Sequence, residues 1–308
     1  MENYKYIYGP VPSRRLGLSL GVSPIPSRTC NYSCIYCQLG RTKNLTNDRK
    51  AFFPVDDIIA ELKDYIDSKP LYDIITIVGE GEPTLYSDLG QLIKKIKEIT
   101  DAPVAVITNG ALLSETMVQK ELMSADFVLP SVDASSEEMF KKINRPHGKI
   151  DYNAVINGLI NFSKKYKGKI FIETMVIKDL NDQVDQLKAL NNILKTIDYD
   201  RLYINTPVRP PAESHVEEPS LETLNVAVDI LKGISIEQLI STGFFSKEKD
   251  DYRAIKSIIQ RHPMNQFEIK SFLEERNCDS PEIILKKLSN DPEIEINNYK
   301  NYKNYRMK

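Results

Sequence analysis

The sequence has little net charge, few cysteines and few histidines. Its 308 residues carry 41 Lys plus Arg against 43 Asp plus Glu, a formal net charge of −2, which excludes a protein that coats polyanions by bulk charge. Of four cysteines, Cys30, Cys34 and Cys37 fall in one short stretch and Cys278 stands alone. That placement excludes a distributed disulfide framework and points to a reducing compartment. No window approaches the ~18 uninterrupted apolar residues of a membrane span. Residues 1–8 (MENYKYIY) lack a basic start followed by an apolar stretch, so no secretory signal is expected and a cytoplasmic location is. What is present, 41% apolar and 27% charged residues, is the composition of a folded globular protein. The length exceeds that at which single cores usually stop growing, so one large domain and one small one are expected.

Apolar, β-branched runs alternate with amphipathic stretches from about residue 50 to about residue 233. An opening strand over 16–22 is followed by strands over 73–79, 103–108, 126–132, 169–177 and 201–206. The spacing predicts helices over 56–66, 89–99, 114–123, 152–164, 182–197 and 220–231. Six strand–helix units imply a parallel sheet, curled into a full or partial barrel or opened as a doubly wound sheet. Either architecture puts ligands at the carboxyl ends of the strands. The proline-rich stretch 205–219 predicts a loop over a strand end. Beyond it, helices over 252–261, 266–276 and 281–288, a strand over 293–296 and a turn at Asn297-Asn298 suggest a winged-helix-like module. The expected division is 1–235 and 236–308.

Cys30, Cys34 and Cys37 lie in TCNYSCIYC, a spacing that lets three thiolates converge from one loop on a metal centre. A structural zinc normally takes four protein ligands, and the histidines His147, His215 and His262 are scattered. A [4Fe–4S] cluster on three cysteines keeps one iron open, which is useful when that iron must bind a substrate or cofactor. Cys278 is expected to be a small, partly buried side chain without a catalytic task.

The stretch resembles the cluster-binding loop of radical S-adenosylmethionine (radical SAM) enzymes, including the aromatic Tyr36 before the third cysteine. Gly79-Glu80-Gly81-Glu82-Pro83 resembles that family's Gly-Gly-Glu segment, with Glu80 where the commonest form has its first glycine. Thr108-Asn109-Gly110 and Ser131-Val132-Asp133 end the next two strands as in many members. The resemblance, over roughly residues 8 to 235, implies a partial (β/α)6 TIM-like barrel that reductively cleaves SAM to a 5′-deoxyadenosyl radical. It implies Cys30, Cys34 and Cys37 as cluster ligands, with Glu82 and the backbone around Gly81 receiving the methionine amino group. It further implies Ser131 and Thr108 on the ribose or carboxylate and Tyr36 beside the adenine. Asn109, Asp133, Glu173 and Asn205 join the cofactor-binding set at strand ends.

Three flanking segments are similar to the branch related to wyosine base synthases: residues 9–17, Gln38-Leu39-Gly40-Arg41-Thr42, and 205–211. Those enzymes have a second cysteine cluster before the radical SAM loop, whereas this chain has no cysteine before Cys30. The branch implies modification of a tRNA base or nucleotide and a one-electron reductant such as flavodoxin or ferredoxin as partner. Activation of a partner enzyme, or modification of a peptide or small molecule, is the alternative. Arg14, Arg15, Arg41 and Arg209, from three distant loops, are candidates to line one mouth and take an anion. The tail 298–308 is basic without an acid and interleaves Tyr299, Tyr302 and Tyr305, as suits phosphates and stacked bases. A non-enzymatic, cluster-containing nucleic-acid-binding regulator would need the cysteines but not Gly81, Glu82, Asn109 or Ser131.

Overall fold

A computed structural model describes residues 4–68, 70–236, 244, 246, 248–299 and 302–308. The chain opens with an antiparallel pair, β1 (Ile7–Ser13) and β2 (Gly17–Val22). The cysteine loop follows, its ends clasped by the short parallel strands β3 (Thr29–Cys30) and β4 (Asn44–Leu45). Strands and helices then alternate: α1 (Val55–Asp67), β5 (Ile74–Ile77), α2 (Leu89–Ile99), β6 (Val104–Thr108), α3 (Thr116–Leu122) and β7 (Phe127–Pro130). After β7 come α4 (Glu137–Ile143), α5 (Tyr152–Ser163), β8 (Lys169–Met175), α6 (Val184–Leu194), β9 (Arg201–Asn205), α7 (Leu221–Leu231) and β10 (Ile234–Ser235).

The strands form one sheet in the order β1-β2-β5-β6-β7-β8-β9-β10, parallel from β2 onward. β1 and β10 do not pair with each other, so this is a partial TIM-like barrel. Period two sorts the side chains. Ile75, Ile77, Val104, Val106, Val128, Ile170, Ile172, Leu202 and Ile204 pack outward under the helices. Ile74, Ala105, Leu129, Phe171 and Tyr203 form a separate inner cluster. Both faces are therefore buried, which is why these strands read as continuous apolar runs.

Several elements were not expected, among them β1, α4 and β10. β1 carries Pro10 and Pro12, which argue against a central strand, but it lies at the sheet edge and its register shifts between Tyr8 and Val11. α4 has seven residues and β10 two, too few for a period to register.

The last part of the chain runs α8 (Asp251–Ile259), β11 (Met264–Asn265), α9 (Gln266–Glu275), α10 (Pro281–Ser289), β12 (Ile294–Tyr299) and β13 (Tyr302–Met307). Its sheet order is β11-β13-β12, and Ile255, Ile258, Ile269, Phe272, Leu273 and Tyr305 make its own apolar cluster, with the half-buried Cys278 against it. This element order is that of a winged helix. We propose residues 1–235 and 236–308 as the two units; much of the link between them lies outside the described residues. Asn297 and Asn298 are not a turn: they pair with Asn304 and Lys303 inside the β12–β13 ladder, and the expected tail residues 300 and 301 fall outside the described ones. Tyr305 is 3% exposed and so cannot stack on a base. Arg306 is likewise turned inward, at 8%. No helix among the described residues is long and apolar enough to cross a membrane.

Candidate active site

The cysteine loop lies over the carboxyl ends of the strands. Cys30, Cys34 and Cys37 are half-buried, with Cys30 and Cys34 against Tyr32, Ile35, Phe140 and Ile143. Burial pushes the Cys30 thiol up to about 12, and the Glu82 carboxylate adds to the rise. Burial raises Cys34 and Cys37 as well; Cys30 and Cys34 each also feel the charge of another thiol, whereas Arg306 and Arg28 pull Cys37 the other way. Amide donors face the sulfurs: Tyr32 N–H at 3.4 Å and Asn109 Nδ2 at 3.6 Å from Cys30 Sγ, and Asn144 Nδ2 at 3.6 Å from Cys34 Sγ. Among the described residues no three His, Cys, Asp or Glu side chains are already drawn into a cage. The donor set nonetheless fits an iron–sulfur cluster, with three sulfurs on one loop and N–H groups aimed at two of them. When bound, such a cluster supplies the electron that cleaves SAM to a 5′-deoxyadenosyl radical.

Three strand ends hold this loop. After β5, a Cβ on Gly81 would stand 1.7 Å from the Thr29 carbonyl oxygen, and the next N–H, of Glu82, donates to that oxygen at 3.1 Å. The close approach that needs glycine here is thus to the loop backbone. The Glu82 carboxylate accepts from Thr84 N (3.0 Å), Thr84 Oγ1 (2.6 Å), Thr108 Oγ1 (2.6 Å) and Asn109 N (2.7 Å). Thr108 and Asn109 thus tie the end of β6 to that of β5, while Thr84 holds the carboxylate from its own turn. Burial still raises the Glu82 pKa. After β6, Asn109 also donates to Asn31 Oδ1 at 2.7 Å. After β7, buried Asp133 accepts from Tyr36 OH (2.5 Å), Asn144 Nδ2 (2.8 Å) and Met175 N (2.8 Å). Its carboxyl is raised by burial against these donors. Asp133 thus fixes the loop at Tyr36 and, through Asn144, at Cys34. The cap of α4 falls to Ser136, whose hydroxyl accepts from Met139 N at 3.2 Å.

Half-buried Ser131 has no side-chain partner among the described residues, and Asn205 Oδ1 accepts from Thr206 N at 3.0 Å. Glu173 forms an ion pair with Arg15. Burial lowers the Arg15 pKa to about 10.

The four arginines do not line one mouth. Burial, and then the charges of Arg209, Arg15 and Arg14, hold the pKa of His262, just beyond α8, well below the usual value. Arg209 forks onto Glu268 (3.1 and 3.2 Å) and meets His262 Nε2 at 2.8 Å. Arginine has no acceptor, so Nε2 accepts and the neutral ring carries its proton on Nδ1. Arg41 lies elsewhere, clamping Glu213 with Arg145 at 2.8, 2.7 and 2.5 Å. His262, Asn144, Asn31 and Glu213 had no sequence signal, since each acts through partners distant in the chain.

The Arg41 hydrogen bonds, and then those of Arg145, hold the Glu213 carboxyl down to about 2 from its ordinary 4.5. A depressed carboxyl stabilises fully above its unfolded value and loses that contribution as pH falls from about 4.5 toward about 2. Urea midpoints should therefore drop more between about pH 5 and about pH 3 for the native chain than for Glu213→Gln. Equal drops would refute the clamp.

Residues 24–190 match the family model of the radical SAM superfamily, and the chain belongs to that superfamily. Within it, a UPF0026 protein of Methanocaldococcus jannaschii is 33% identical over 298 residues, 93% of this chain and 91% of that one. This is therefore a UPF0026 family member, an enzyme that uses a [4Fe–4S] cluster and SAM and needs a one-electron reductant. A protein of Brachyspira hyodysenteriae named GTPase Obg is 44% identical over 205 residues, 67% of this chain, but the chain spans only 30% of its length. A GTP 3',8-cyclase of Limosilactobacillus fermentum is 28% identical over 180 residues, 57% of this chain and 50% of that one. Among solved structures, a radical SAM methyltransferase from Sphaerobacter thermophilus superposes with TM-score 0.55 at 16% identity, covering 70% of this chain and 64% of that one. TYW1 with a lysine-pyruvate adduct bound gives TM-score 0.50 at 18% identity, covering 70% and 72%. At these identities the two structures show the shared fold.

Proposed function

We propose that this enzyme directs the 5′-deoxyadenosyl radical at the base of a phosphorylated nucleotide, within RNA or free. The observation that carries the reading is Arg209 held at 2.8 Å from the neutral His262 ring, with the charges of Arg15 and Arg14 also felt there. Among the described residues their paired carboxylates are Glu173 and Glu268, so three guanidiniums meet two acids there and favour an anion. The related GTP 3',8-cyclase bears a nucleotide in its name. Cys30, Cys34 and Cys37 would hold the cluster. Ser131, Asn205, Tyr36 and the peptide groups around Gly81 would contact SAM. Glu82, Thr108, Asn109 and Asp133 would act on it through the loop. Flavodoxin or ferredoxin would supply the electron.

Nucleoside profiles of tRNA from cells with and without the protein test the RNA branch, and an unchanged profile would exclude it. In binding assays, Arg14→Gln should weaken RNA or nucleoside triphosphate and flatten the slope of log affinity against log salt by about 1 for the lost phosphate contact. An unaltered slope would remove Arg14 from the site.

A further inference from the structure

The hairpin of the winged helix reaches the cysteine loop. Arg306 on β13 donates from Nε to Glu295 Oε2 at 2.9 Å, and from Nη1 to the carbonyls of Gln38 and Pro210, each at 3.3 Å. In return Arg28, just before the loop, donates from Nη2 to the Met307 carbonyl at 2.7 Å. Between them lies Gly40, with φ +86, whose N–H closes a turn onto the Cys37 carbonyl at 3.0 Å. A Cβ on Gly40 would meet Cζ of both Arg28 and Arg306 at 3.7 Å. Two guanidiniums therefore pack on the turn that begins at the third cysteine. Among the described residues Glu295 is the one carboxylate bonded to the pair.

That leaves one positive charge unbalanced in a mostly buried place, which is costly unless a negative group lies near. Three thiolates around an iron–sulfur cluster are such a group, and one-electron reduction makes it more negative.

We propose that Arg306, with Arg28, is a positioning residue for the cluster: it fastens the turn after Cys37 to the winged helix, and its surplus charge favours the reduced cluster. The proposal rests on Cys30, Cys34 and Cys37 being the ligands. The step it affects moves one electron from an external one-electron donor to the cluster, with the donor oxidised, the cluster reduced and no atom transferred. Charge this close should act on the equilibrium between the two states, as hydrogen bonds and net charge do in iron–sulfur proteins generally.

The test uses the full chain, reconstituted anaerobically, with dithionite as reductant and the reduced cluster followed by electron paramagnetic resonance during a potentiometric titration. Arg306→Gln should lower the ratio of reduced to oxidised cluster at fixed potential by about tenfold, or about 59 mV for one electron. Arg306→Lys should stay near the native value. Glu295→Gln, which keeps every positive charge, should move the potential the opposite way and gives the sign even if Arg306→Gln folds poorly. Shifts of both variants in one direction, or no shift in either with full iron content, would overturn the proposal. Iron retained undiminished in Cys37→Ala would instead overturn the ligand assignment beneath it, and the two failures are thereby separable.

Discussion

Cys34→Ala should abolish both cluster and chemistry: reconstituted iron falls from about four per chain toward none, and reduction in the presence of SAM releases no 5′-deoxyadenosine. With Cys34 gone, two thiolates face a cluster that needs three protein ligands when SAM takes the fourth iron. The fold should survive. Cys34 is half-buried, and replacing a small sulfur side chain by a methyl group at such a site costs about 1 kcal/mol. The thermal midpoint of the apoprotein should therefore move little while iron and cleavage vanish together. A Cys34→Ala protein that loads iron and cleaves SAM would refute the assignment of the loop.

Gly81→Ala should be the most damaging single methyl group in the core. Its Cβ would lie 1.7 Å from the Thr29 carbonyl oxygen, which is backbone and not the movable tip of a side chain. Relief by shifting either segment would break the Glu82 N–H to Thr29 bond (3.1 Å) and the neighbouring Arg28 N–H to Glu80 bond (2.6 Å). Overpacking of this kind costs up to about 3 kcal/mol. In a chain of this size that lowers the thermal midpoint by roughly 5–10 °C. Because the displaced strand is the one leading into Cys30, iron loading should fail with it. Gly148→Ala is the control: nothing lies within 4 Å of a Cβ there, and both readouts should stay native. A Gly81→Ala protein with native melting and iron content would mean the loop does not depend on this contact.

The six central strands were legible because both faces of the sheet are buried, so that runs such as Ile74–Ile77 are buried at every position and apolar at all but Thr76, whose hydroxyl is paired with that of Ser19. The helix Leu89–Ile99 was legible because its buried side chains Leu89, Leu92, Ile93 and Ile96 keep helical spacing. The strand-end positions could be located from the resemblance, but not what they touch. Glu82 takes donors from Thr108 and Asn109, 26 and 27 residues away, and Asp133 takes one from Tyr36, 97 residues earlier. No local pattern encodes such pairings. The tail misled for a related reason. Alternation in a two-stranded ladder turns Tyr305 into the apolar cluster of the winged helix, while Arg306 faces the barrel, and composition alone cannot report either direction. Arg15 and Glu173 were both singled out, yet only folding reveals that they neutralise each other.

Among the described residues the sheet is open, and an open sheet has two free edges, each a possible template for a second copy of the chain. Here one edge is β1, interrupted by Pro10 and Pro12 and by a register shift, so it lacks a continuous row of donors. The other is β10, only two residues long. Neither can seed a long intermolecular ladder. The barrel can therefore stay unclosed without inviting fibre growth or precipitation along its rims.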